Sequence, residues 1–344
     1  MKIIKIILRI LVIILAITAI ITMIRVHNDK KYKPKNYSGQ NDENPNDLSS
    51  YNKHIKNVEV KHIKGEYLNG FRLKPKKKLH KGVIITFGGS EGSPGYWYAR
   101  EYAKKGYEVL ALFFFGMENQ ENELVKVPLD FFDEVLTYIE KHIKDGDIIT
   151  IDGGSKGAEL ALNLATRYPQ IDNLILRSPS AYSFSGLPKD NYNEVYSSWT
   201  WNGKEVPYIN IQKSGMLAGS SLFKAFALNE PVSFRASYEA AVKNDTNLED
   251  SRIKVENTKA NILIIAGDDD AMWQSDTFAK EIQEKRPENT EVHIYKGVGH
   301  IFSRDKILYS KSMIVKLGGD KDNNKRADSE SKKIIDEKLE TWHK

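Results

Sequence analysis

Short apolar runs alternate with amphipathic helical segments through most of this 344-residue chain. The runs have the length and the β-branched composition of buried strands, and they occupy residues 82–87, 107–114, 148–152, 172–177, 261–266 and 291–295. Segments with helical periodicity stand between them, at residues 97–105, 130–143, 158–168 and 273–285. This alternation predicts an α/β fold with a mainly parallel sheet and helices on both of its faces.

Two parts of the folded region depart from this alternation. Before it, the alternating runs Val58–Ile63 and Glu66–Leu73 are separated by Lys64 and Gly65, which predicts an antiparallel hairpin at the edge of the sheet. Within it, residues of about 181–250 mix aromatic and polar side chains without a clear period. We expect this insertion to cover the C-terminal edge of the parallel strands as a cap.

The first 26 residues predict a membrane segment, which is left out of the fold. Ile10–Ile24 carries no charge and is bracketed by Arg9 and Arg25. As a helix it reaches about 22 Å, and residues 6–26 span a hydrocarbon core of about 30 Å if the arginine side chains extend to the interface. No A-x-A cleavage pattern follows, so we expect an uncleaved single-pass anchor, with a cleaved signal peptide as the alternative.

Residues 27–56 are rich in Asn, Asp, Lys, Ser and Pro and predict a disordered tether ahead of a folded domain at residues 57–344. The orientation of the span depends on two opposing signals. Five basic residues soon after the span favour a cytoplasmic domain. The short tail before the span, however, carries Lys2, Lys5 and Arg9 and is difficult to translocate, so we expect the domain outside the cytoplasm.

The composition of the chain argues against several classes of function. The formal net charge of +5 arises from 51 basic and 46 acidic residues spread along the chain, which argues against nucleic acid as a principal partner. The absence of cysteine excludes disulfides, thiolate metal sites and a cysteine nucleophile. No metal or redox cofactor is implied by any motif in the sequence.

The candidate nucleophile is Ser155, in the segment Gly-Gly-Ser-Lys-Gly that joins the strand at 148–152 to the next helix. A G-x-S-x-G elbow requires this strand–turn–helix context, because the sharp turn raises the serine hydroxyl at a helix N-terminus. The unpaired N–H groups at that terminus favour developing negative charge. A glycine-rich turn with a capping serine is the structural alternative.

A serine nucleophile needs a base and an acid that orients the base. In α/β-hydrolases the acid and the base follow the serine in chain order, each in a loop after a later strand. Asp268, Asp269 and Asp270 follow the strand at 261–266, and we favour Asp270 because its loop is long enough to return towards the elbow. His300 is the histidine that stands in a glycine-flanked loop just after a late strand.

Backbone N–H groups would receive the oxyanion. Lys156, directly after the nucleophile, supplies one, and the loop after the strand at 82–87 supplies the other, with Ser90 favoured and Gly89 next. Lys156 is also the one basic residue beside the elbow that could meet the phosphates of a coenzyme A ester. Candidate substrate-pocket residues are the aromatic side chains Phe114, Phe115, Trp199 and Trp201.

With these residues assembled, the chain resembles the C-terminal catalytic domain of the acyl-CoA thioesterase and bile acid-CoA:amino acid N-acyltransferase family. The resemblance rests on Ser-Lys-Gly-Ala-Glu at 155–159, Asp-Asp-Ala-Met-Trp-Gln-Ser at 269–275 and Gly-His-Ile at 299–301, and it covers most of residues 60–344. It implies an α/β-hydrolase fold and places the family's nucleophile, aspartate and histidine on Ser155, Asp270 and His300.

The sequence thus predicts a membrane-anchored serine hydrolase that acts on acyl thioesters or esters, by hydrolysis or by acyl transfer. An extracytoplasmic carboxylesterase acting on lipid-like esters is the alternative. A catalytically silent hydrolase fold used for binding is a third hypothesis, against which a full Ser–Asp–His set argues.

Overall fold

A computed structural model describes residues 2–35, 44–188, 194–309 and 313–344. Its helices are, in chain order, α1 (Lys2–Tyr32), α2 (Tyr96–Lys104), α3 (Phe131–His142), α4 (Lys156–Ala165), α5 (Gly215–Leu228), α6 (Arg235–Asn244), α7 (Leu248–Ser251), α8 (Ser275–Lys285) and α9 (Lys321–Trp342). Its strands are β1 (Val58–Lys64), β2 (Asn69–Pro75), β3 (Val83–Phe87), β4 (Val109–Leu112), β5 (Val127–Pro128), β6 (Ile149–Gly154), β7 (Asn173–Arg177), β8 (Trp199–Trp201), β9 (Lys204–Glu205), β10 (Asn261–Gly267), β11 (Thr290–Tyr295), β12 (Ile307–Tyr309) and β13 (Ile314–Lys316). Two single 3-10 turns lie at Ile211–Ser214 and Val255–Asn257.

Within the described residues, eight strands form the main sheet in the order β1-β2-β4-β3-β6-β7-β10-β11. The strands from β4 to β11 pair in parallel, whereas β2 is antiparallel to both β4 and β1. The predicted mainly parallel sheet and its edge hairpin are both confirmed. The parallel strands end at one common edge, and the loops that follow them therefore meet there.

Helices cover both faces of the sheet because its central strands are apolar on both sides. In β3, Val83, Ile85 and Phe87 belong to one core cluster and Ile84 belongs to the other. Helices α3, α4 and α8 pack on the first face, and α2 and α9 pack on the second. Burial on both faces is typical of parallel strands and explains their continuous apolar runs.

The second strand of the edge hairpin begins at Asn69, three residues later than the sequence predicts. The reason is Glu134 on α3, whose carboxylate accepts the backbone N–H groups of Glu66, Tyr67 and Leu68 at 2.7–2.8 Å. These three N–H groups are therefore not available for strand pairing, and their residues form the turn instead.

The segment between β7 and β10 carries β8, β9, α5, α6 and α7, and β8 pairs with β5 in a small second sheet. It contacts the loops at the C-terminal edge of the main sheet. The N–H groups of Phe234 and Arg235 donate to the Ala271 carbonyl after β10, and the Ser198 hydroxyl accepts a hydrogen bond from the Lys156 ammonium after β6. The cap predicted at about 181–250 falls within this segment and stays a prediction, and its residues 189–193 lie outside the described residues.

The N-terminal helix α1 continues through Tyr32, beyond the predicted end of the anchor at Val26, and most of its apolar side chains are exposed. Part of the predicted tether, residues 36–43, lies outside the described residues. After it, the Tyr51 ring lies 5.0–5.9 Å from three aromatic rings of the domain, those of Phe71, Tyr96 and Phe113. This part of the predicted tether therefore packs on the domain.

A short antiparallel hairpin of β12 and β13 has no counterpart in the sequence prediction. Each strand holds three residues, which is too few for a recognisable period. The hairpin joins two parts of the catalytic edge. The N–H of Val232, just after α5, donates to the carbonyl of Ile314, and the N–H of His300 donates to the carbonyl of Leu317 at 2.8 Å.

Candidate active site

Ser155 occupies a strained turn between β6 and α4. Its φ of 54° and ψ of −119° are unusual for a residue with a side chain. Its N–H donates to the Arg177 carbonyl at the end of β7, at 2.9 Å, which fixes the turn over the sheet edge. Strain of this kind persists where the surrounding structure imposes it, and such positions cluster at active sites. The predicted strand–turn–helix context of the serine is present.

Two glycines of the elbow are required by close packing. A Cβ on Gly153 would lie 2.3 Å from the carbonyl oxygen of Gly157, and a Cβ on Gly157 would lie 2.0 Å from the carbonyl oxygen of Gly88. Nothing lies within 4 Å of a Cβ placed on Gly154. The spacing G-x-S-x-G therefore follows from the approach of α4 to β6 and to the loop after β3.

Asp270 and His300 are joined by a buried hydrogen bond. The His300 Nδ1 lies 2.8 Å from Asp270 Oδ2, which also accepts the Ser275 hydroxyl at 2.6 Å. The other oxygen, Oδ1, accepts the N–H groups of Met272 and Trp273, so the carboxylate is held by four donors and is 1% exposed. An ionised carboxylate can only accept hydrogen bonds, so Nδ1 carries the imidazole proton and Nε2 is the basic nitrogen.

The neighbouring aspartates have other partners. Asp268 accepts the N–H of Gly297 at 2.6 Å, and Asp269 accepts the N–H of Gly319 at 2.8 Å. Both are exposed, whereas Asp270 is buried. The structure therefore brings Asp270 to His300 and leaves the other two carboxylates to hold the loops around it.

Ser178, which follows β7, connects the histidine loop to the elbow. Its hydroxyl donates to the His300 carbonyl at 2.7 Å, and its own carbonyl accepts the indole N–H of Trp273 at 3.0 Å. The Trp273 ring meets the His300 ring edge-on, with centroids 5.7 Å apart. Arg177, the residue before Ser178, accepts the N–H of Ser155, so the chain that leaves β7 contacts both the elbow after β6 and the histidine loop after β11.

Sequence reasoning assigned no role to the three side chains that position Asp270 and His300. Trp273 and Ser275 do belong to the Asp-Asp-x-x-Trp-x-Ser segment on which the family resemblance rests, so a signal for them existed. Ser178 gives no sequence signal. The helix predicted from Trp273 begins instead at Ser275, because the Asp270 carboxylate accepts the N–H groups of Met272 and Trp273.

The loop after β3 lies against the nucleophile. A Cβ on Gly89 would lie 3.3 Å from the Ser155 Cβ, and the Gly89 N–H donates to both carboxylate oxygens of Glu91 at 3.1 Å. Glu91 was not identified from the sequence. Among the described residues, no acceptor takes the N–H of Ser90 or that of Lys156, the first residue of α4. Both N–H groups predicted for the oxyanion are therefore unoccupied, while that of Gly89 is engaged.

The Lys156 side chain points away from solvent. Its ammonium lies 3.0 Å from Glu159 Oε1 and 2.9 Å from the Ser198 hydroxyl, and the residue is 1% exposed. Burial lowers the pKa of the Lys156 ammonium, and the Glu159 carboxylate opposes that shift. This ammonium, the basic group beside the elbow that the sequence offered for coenzyme A phosphates, joins the cap to the elbow helix instead.

Three of the four aromatic residues predicted for the substrate pocket lie near the catalytic edge. Phe114 and Trp199 are fully buried, with ring centroids 5.9 Å apart. Phe115 lies 5.0 Å from the Phe114 ring and borders the loop after β3, since a Cβ on Gly92 would lie 2.9 Å from its ring. Phe115 is thus the aromatic side chain of this set beside the oxyanion loop.

Trp201 is not brought to the site. Its ring packs on Tyr168 at 5.6 Å and under the guanidinium of Arg167, both just beyond the C-terminal end of α4. A helix of this length separates its two ends by about 15 Å. Trp201 therefore lies at the far end of the helix that begins after Ser155.

Comparison with protein families gives a match over residues 127–305, just over half of the chain, to the family described as BAAT / Acyl-CoA thioester hydrolase C terminal. Peroxisomal succinyl-coenzyme A thioesterase of Mus musculus is 27% identical over 233 residues, covering 66% of this chain and 50% of its own length. Acyl-coenzyme A thioesterase 6 of Homo sapiens is 26% identical over 243 residues with the same coverage. The chain thus spans about half the length of the curated relatives it matches.

Among solved structures, carboxyl esterase 2 from the mycorrhizal fungus Tuber melanosporum superposes with a TM-score of 0.53. The alignment covers 86% of this chain and 90% of the esterase at 14% sequence identity. At that identity the likeness concerns the fold alone. With the mostly parallel eight-stranded sheet of the described residues, it confirms the predicted α/β-hydrolase fold.

Proposed function

This chain belongs to the BAAT/acyl-CoA thioester hydrolase C-terminal family, and on that premise we propose that it is a serine hydrolase of acyl thioesters. The observation that carries the proposal is the buried Asp270–His300 hydrogen bond at the same edge of the sheet from which the Ser155 elbow emerges. A histidine held by a buried carboxylate and a serine in a strained elbow, at one edge of the sheet, are the groups needed to activate a hydroxyl for acyl transfer.

In the proposed reaction, His300 Nε2 takes the proton of the Ser155 hydroxyl as the serine oxygen attacks the thioester carbonyl. The N–H groups of Lys156 and Ser90 receive the oxyanion of the tetrahedral intermediate. Collapse of the intermediate breaks the C–S bond, and the thiol leaves with the proton from His300. Water then attacks the acyl-serine with the same base, releasing the carboxylic acid and restoring the serine.

The thioester in this proposal comes from the family, because the chemistry of the site does not select an acyl group. The relatives' names describe the whole of longer proteins, of which this chain matches about half. Asp270 keeps the imidazole in the tautomer that the attack requires, whichever acyl group is bound. The leaving group is a thiol in the family's own reaction, and the same machinery cleaves activated oxygen esters.

Labelling with a fluorophosphonate probe tests the nucleophile. Ser155→Ala should abolish labelling and lower kcat on an acyl thioester by about 10⁴-fold or more, while the circular dichroism spectrum is retained. Ser303→Ala, which removes an exposed hydroxyl just past His300, is the matched control and should label like the natural chain. Full labelling of the Ser155→Ala protein would refute the assignment.

We further propose that α1 is an uncleaved single-pass anchor. The helix runs unbroken from the apolar segment to Tyr32, and its last turns make polar contacts with the domain. The short basic tail before the span favours an extracytoplasmic domain. Full-length protein should resist carbonate extraction from membranes, and a mature N-terminus between Thr22 and Asp29 would instead establish a signal peptide.

A further inference from the structure

Helix α5 presents an apolar stripe to solvent. Met216 is 89% exposed, Phe223 is 75% exposed and Phe226 is 46% exposed, and they recur at the spacing of one helix face. Lys224 is the only charged residue among the fourteen of α5. Large aromatic side chains in water are costly, so a face of this composition is expected to meet an apolar phase.

The C-terminal end of α5 is bonded to the last turns of α1. The Arg25 guanidinium donates to the carbonyls of Phe226 and Ala227 at 2.6 and 3.0 Å, and the Asn28 amide donates to the carbonyl of Leu228 at 2.9 Å. These are the last three carbonyls of α5, and that of Phe226 also accepts the N–H of Asn229. A cation there meets the negative end of the helix dipole. The two helix ends are thus joined by side-chain donors from α1 to the terminal carbonyls of α5.

Arg25 also marks the polar end of the apolar segment Ile10–Ile24. A guanidinium in that position lies at the level of the lipid headgroups when the segment spans a bilayer. Phe226, whose carbonyl binds Arg25, must then lie at the same level, and Phe223 is one helical turn away. Aromatic side chains are enriched at this depth because their rings suit the boundary between headgroups and acyl chains.

We propose that α5 lies in the membrane interface as a second, monotopic contact, with Met216, Phe223 and Phe226 in the lipid. The proposal rests on the proposed anchoring by α1, and it holds for either orientation of the domain. The α5 face contacts the lipid of the leaflet at the C-terminal end of the α1 span. The contacts of Arg25 and Asn28 hold the two helices together there.

This placement has a consequence for the site. The chain leaving α5 reaches Phe234 and Arg235 within seven residues, and their N–H groups donate to the Ala271 carbonyl at 3.0 and 3.1 Å. The Arg235 guanidinium also donates to the carbonyl of Asp270 at 3.1 Å. The loop that carries Asp270 is therefore tied to the helix in the interface, which turns the catalytic edge of the sheet towards the lipid.

The test uses the full-length chain, which has no natural cysteine. Single-cysteine variants Phe223→Cys and Met216→Cys are labelled with bimane and reconstituted, one molecule per disc, in phosphatidylcholine nanodiscs. Discs with and without a lipid that carries a nitroxide on its acyl chain are compared. Ile14→Cys, within the apolar run, reports the anchor, and Lys77→Cys, exposed in the loop between β2 and β3, is the distant control. Turnover of a soluble aryl ester verifies that each variant is folded.

The bimane at positions 223 and 216 should be quenched several-fold more strongly than at position 77, and position 14 should be quenched as well. Quenching at 14 without quenching at 223 and 216 would overturn the interface proposal and leave the anchor standing. No quenching at 14 would overturn both. Cross-linking of two Phe223→Cys chains in proteoliposomes, with the label protected from the lipid quencher, would assign α5 to a second copy of the chain and equally overturn the proposal.

Discussion

At the scale of single residues, the structure distinguishes Asp270, which is hydrogen-bonded to His300, from its exposed neighbour Asp269. Asp270→Asn should lower kcat/KM by about 10⁴-fold, because an amide cannot hold the Nδ1–H tautomer of His300 as a carboxylate does. Asp269→Asn should cost far less, since that side chain accepts the N–H of Gly319 from an exposed position. Steady-state kinetics of the two variants on one thioester gives the comparison.

Unchanged thermal midpoints would show that neither variant has lost its fold. Equal losses of activity, or a greater loss for Asp269→Asn, would mean that the acid stands one residue earlier and that the Asp270–His300 contact is structural.

The sequence was sufficient to predict that Asp270 and His300 meet, but not to describe the surroundings of Lys156. Loop length after a strand and flanking glycines indicate the candidate acid and base, because those features are local. The burial of the Lys156 ammonium depends on Ser198 in the cap, 42 residues later, and no local pattern encodes that contact. Glu91 and Ser178 were missed for the same reason, since their roles appear only when separate loops meet.

At the scale of elements, the packing of the elbow predicts different effects of substitution at Gly157 and at Gly154, which lie on either side of Ser155. Gly157→Ala should destabilise the protein by about 1–3 kcal/mol and reduce activity, because the new Cβ would lie 2.0 Å from the Gly88 carbonyl and must push α4 from the loop after β3. Gly154→Ala is the control, with open space around its Cβ. The measurements are thermal unfolding and steady-state kinetics of both variants. A Gly157→Ala protein as stable and active as the control would contradict the packing described.

The end of α9 carries a histidine that makes the fold sensitive to acid. His343 Nε2 meets the Thr150 hydroxyl of β6, and Nδ1 meets the Lys81 carbonyl before β3. Burial lowers the pKa of His343 below its usual 6.5, the electrostatic interactions with His80 and Lys78 act in the same direction, and the Lys81 hydrogen bond opposes them. The folded state therefore prefers the neutral ring.

The stability contributed by a neutral His343 is complete above pH 6.5 and is lost as the pH falls from there through the folded-state pKa. We expect the thermal midpoint of detergent-solubilised protein to fall on going from about pH 7.5 to about pH 5.5. His343→Gln should be less stable at the higher pH and show a smaller fall. His54→Gln removes an exposed histidine and should retain the full fall, and identical pH dependence in all three proteins would rule out His343 as the cause.

The order of the main elements could be read from periodicity, whereas several of their ends could not. Apolar runs of five or more residues were recognised as strands, but β12 and β13, with three residues each, fall below the length at which a period exists. The start of β2 is set by Glu134, about 65 residues later in the chain. Boundaries that depend on a distant partner are not encoded locally.

At the scale of the whole molecule, the N-terminal region joins the fold more closely than its composition suggests. Polar composition predicted a tether, yet Tyr51 packs among three aromatic rings of the domain and Asp29 accepts the hydroxyl of Tyr309 at 2.5 Å. A single aromatic residue in a polar segment gives too weak a pattern to predict such contacts. The end of the proposed anchor and the domain surface therefore form one structure next to the catalytic edge.

The charges near the site bear on which thioester the protein prefers. The cation nearest the nucleophile, Lys156, is buried against Glu159, and Arg235 beside Asp270 is engaged by Asp276 and Glu239. Neither is placed to receive the phosphates of coenzyme A. A charge-assisted hydrogen bond to a phosphate is worth about 1.5–3 kcal/mol, or at least tenfold in kcat/KM. Acyl-pantetheine thioesters should therefore react within a factor of about three of the coenzyme A esters of equal chain length.

Chain length should matter more than the nucleotide, because each methylene that is buried contributes about 0.8 kcal/mol. We expect kcat/KM on the pantetheine series to rise several-fold per added carbon until the acyl site is full. The measurement is a paired panel of pantetheine and coenzyme A thioesters on the full-length protein in nanodiscs, with Ser155→Ala as the blank. A hundredfold preference for coenzyme A would reveal a phosphate site and favour a cytoplasmic domain, and turnover of aryl esters without any thioester would assign the enzyme to the carboxylesterases.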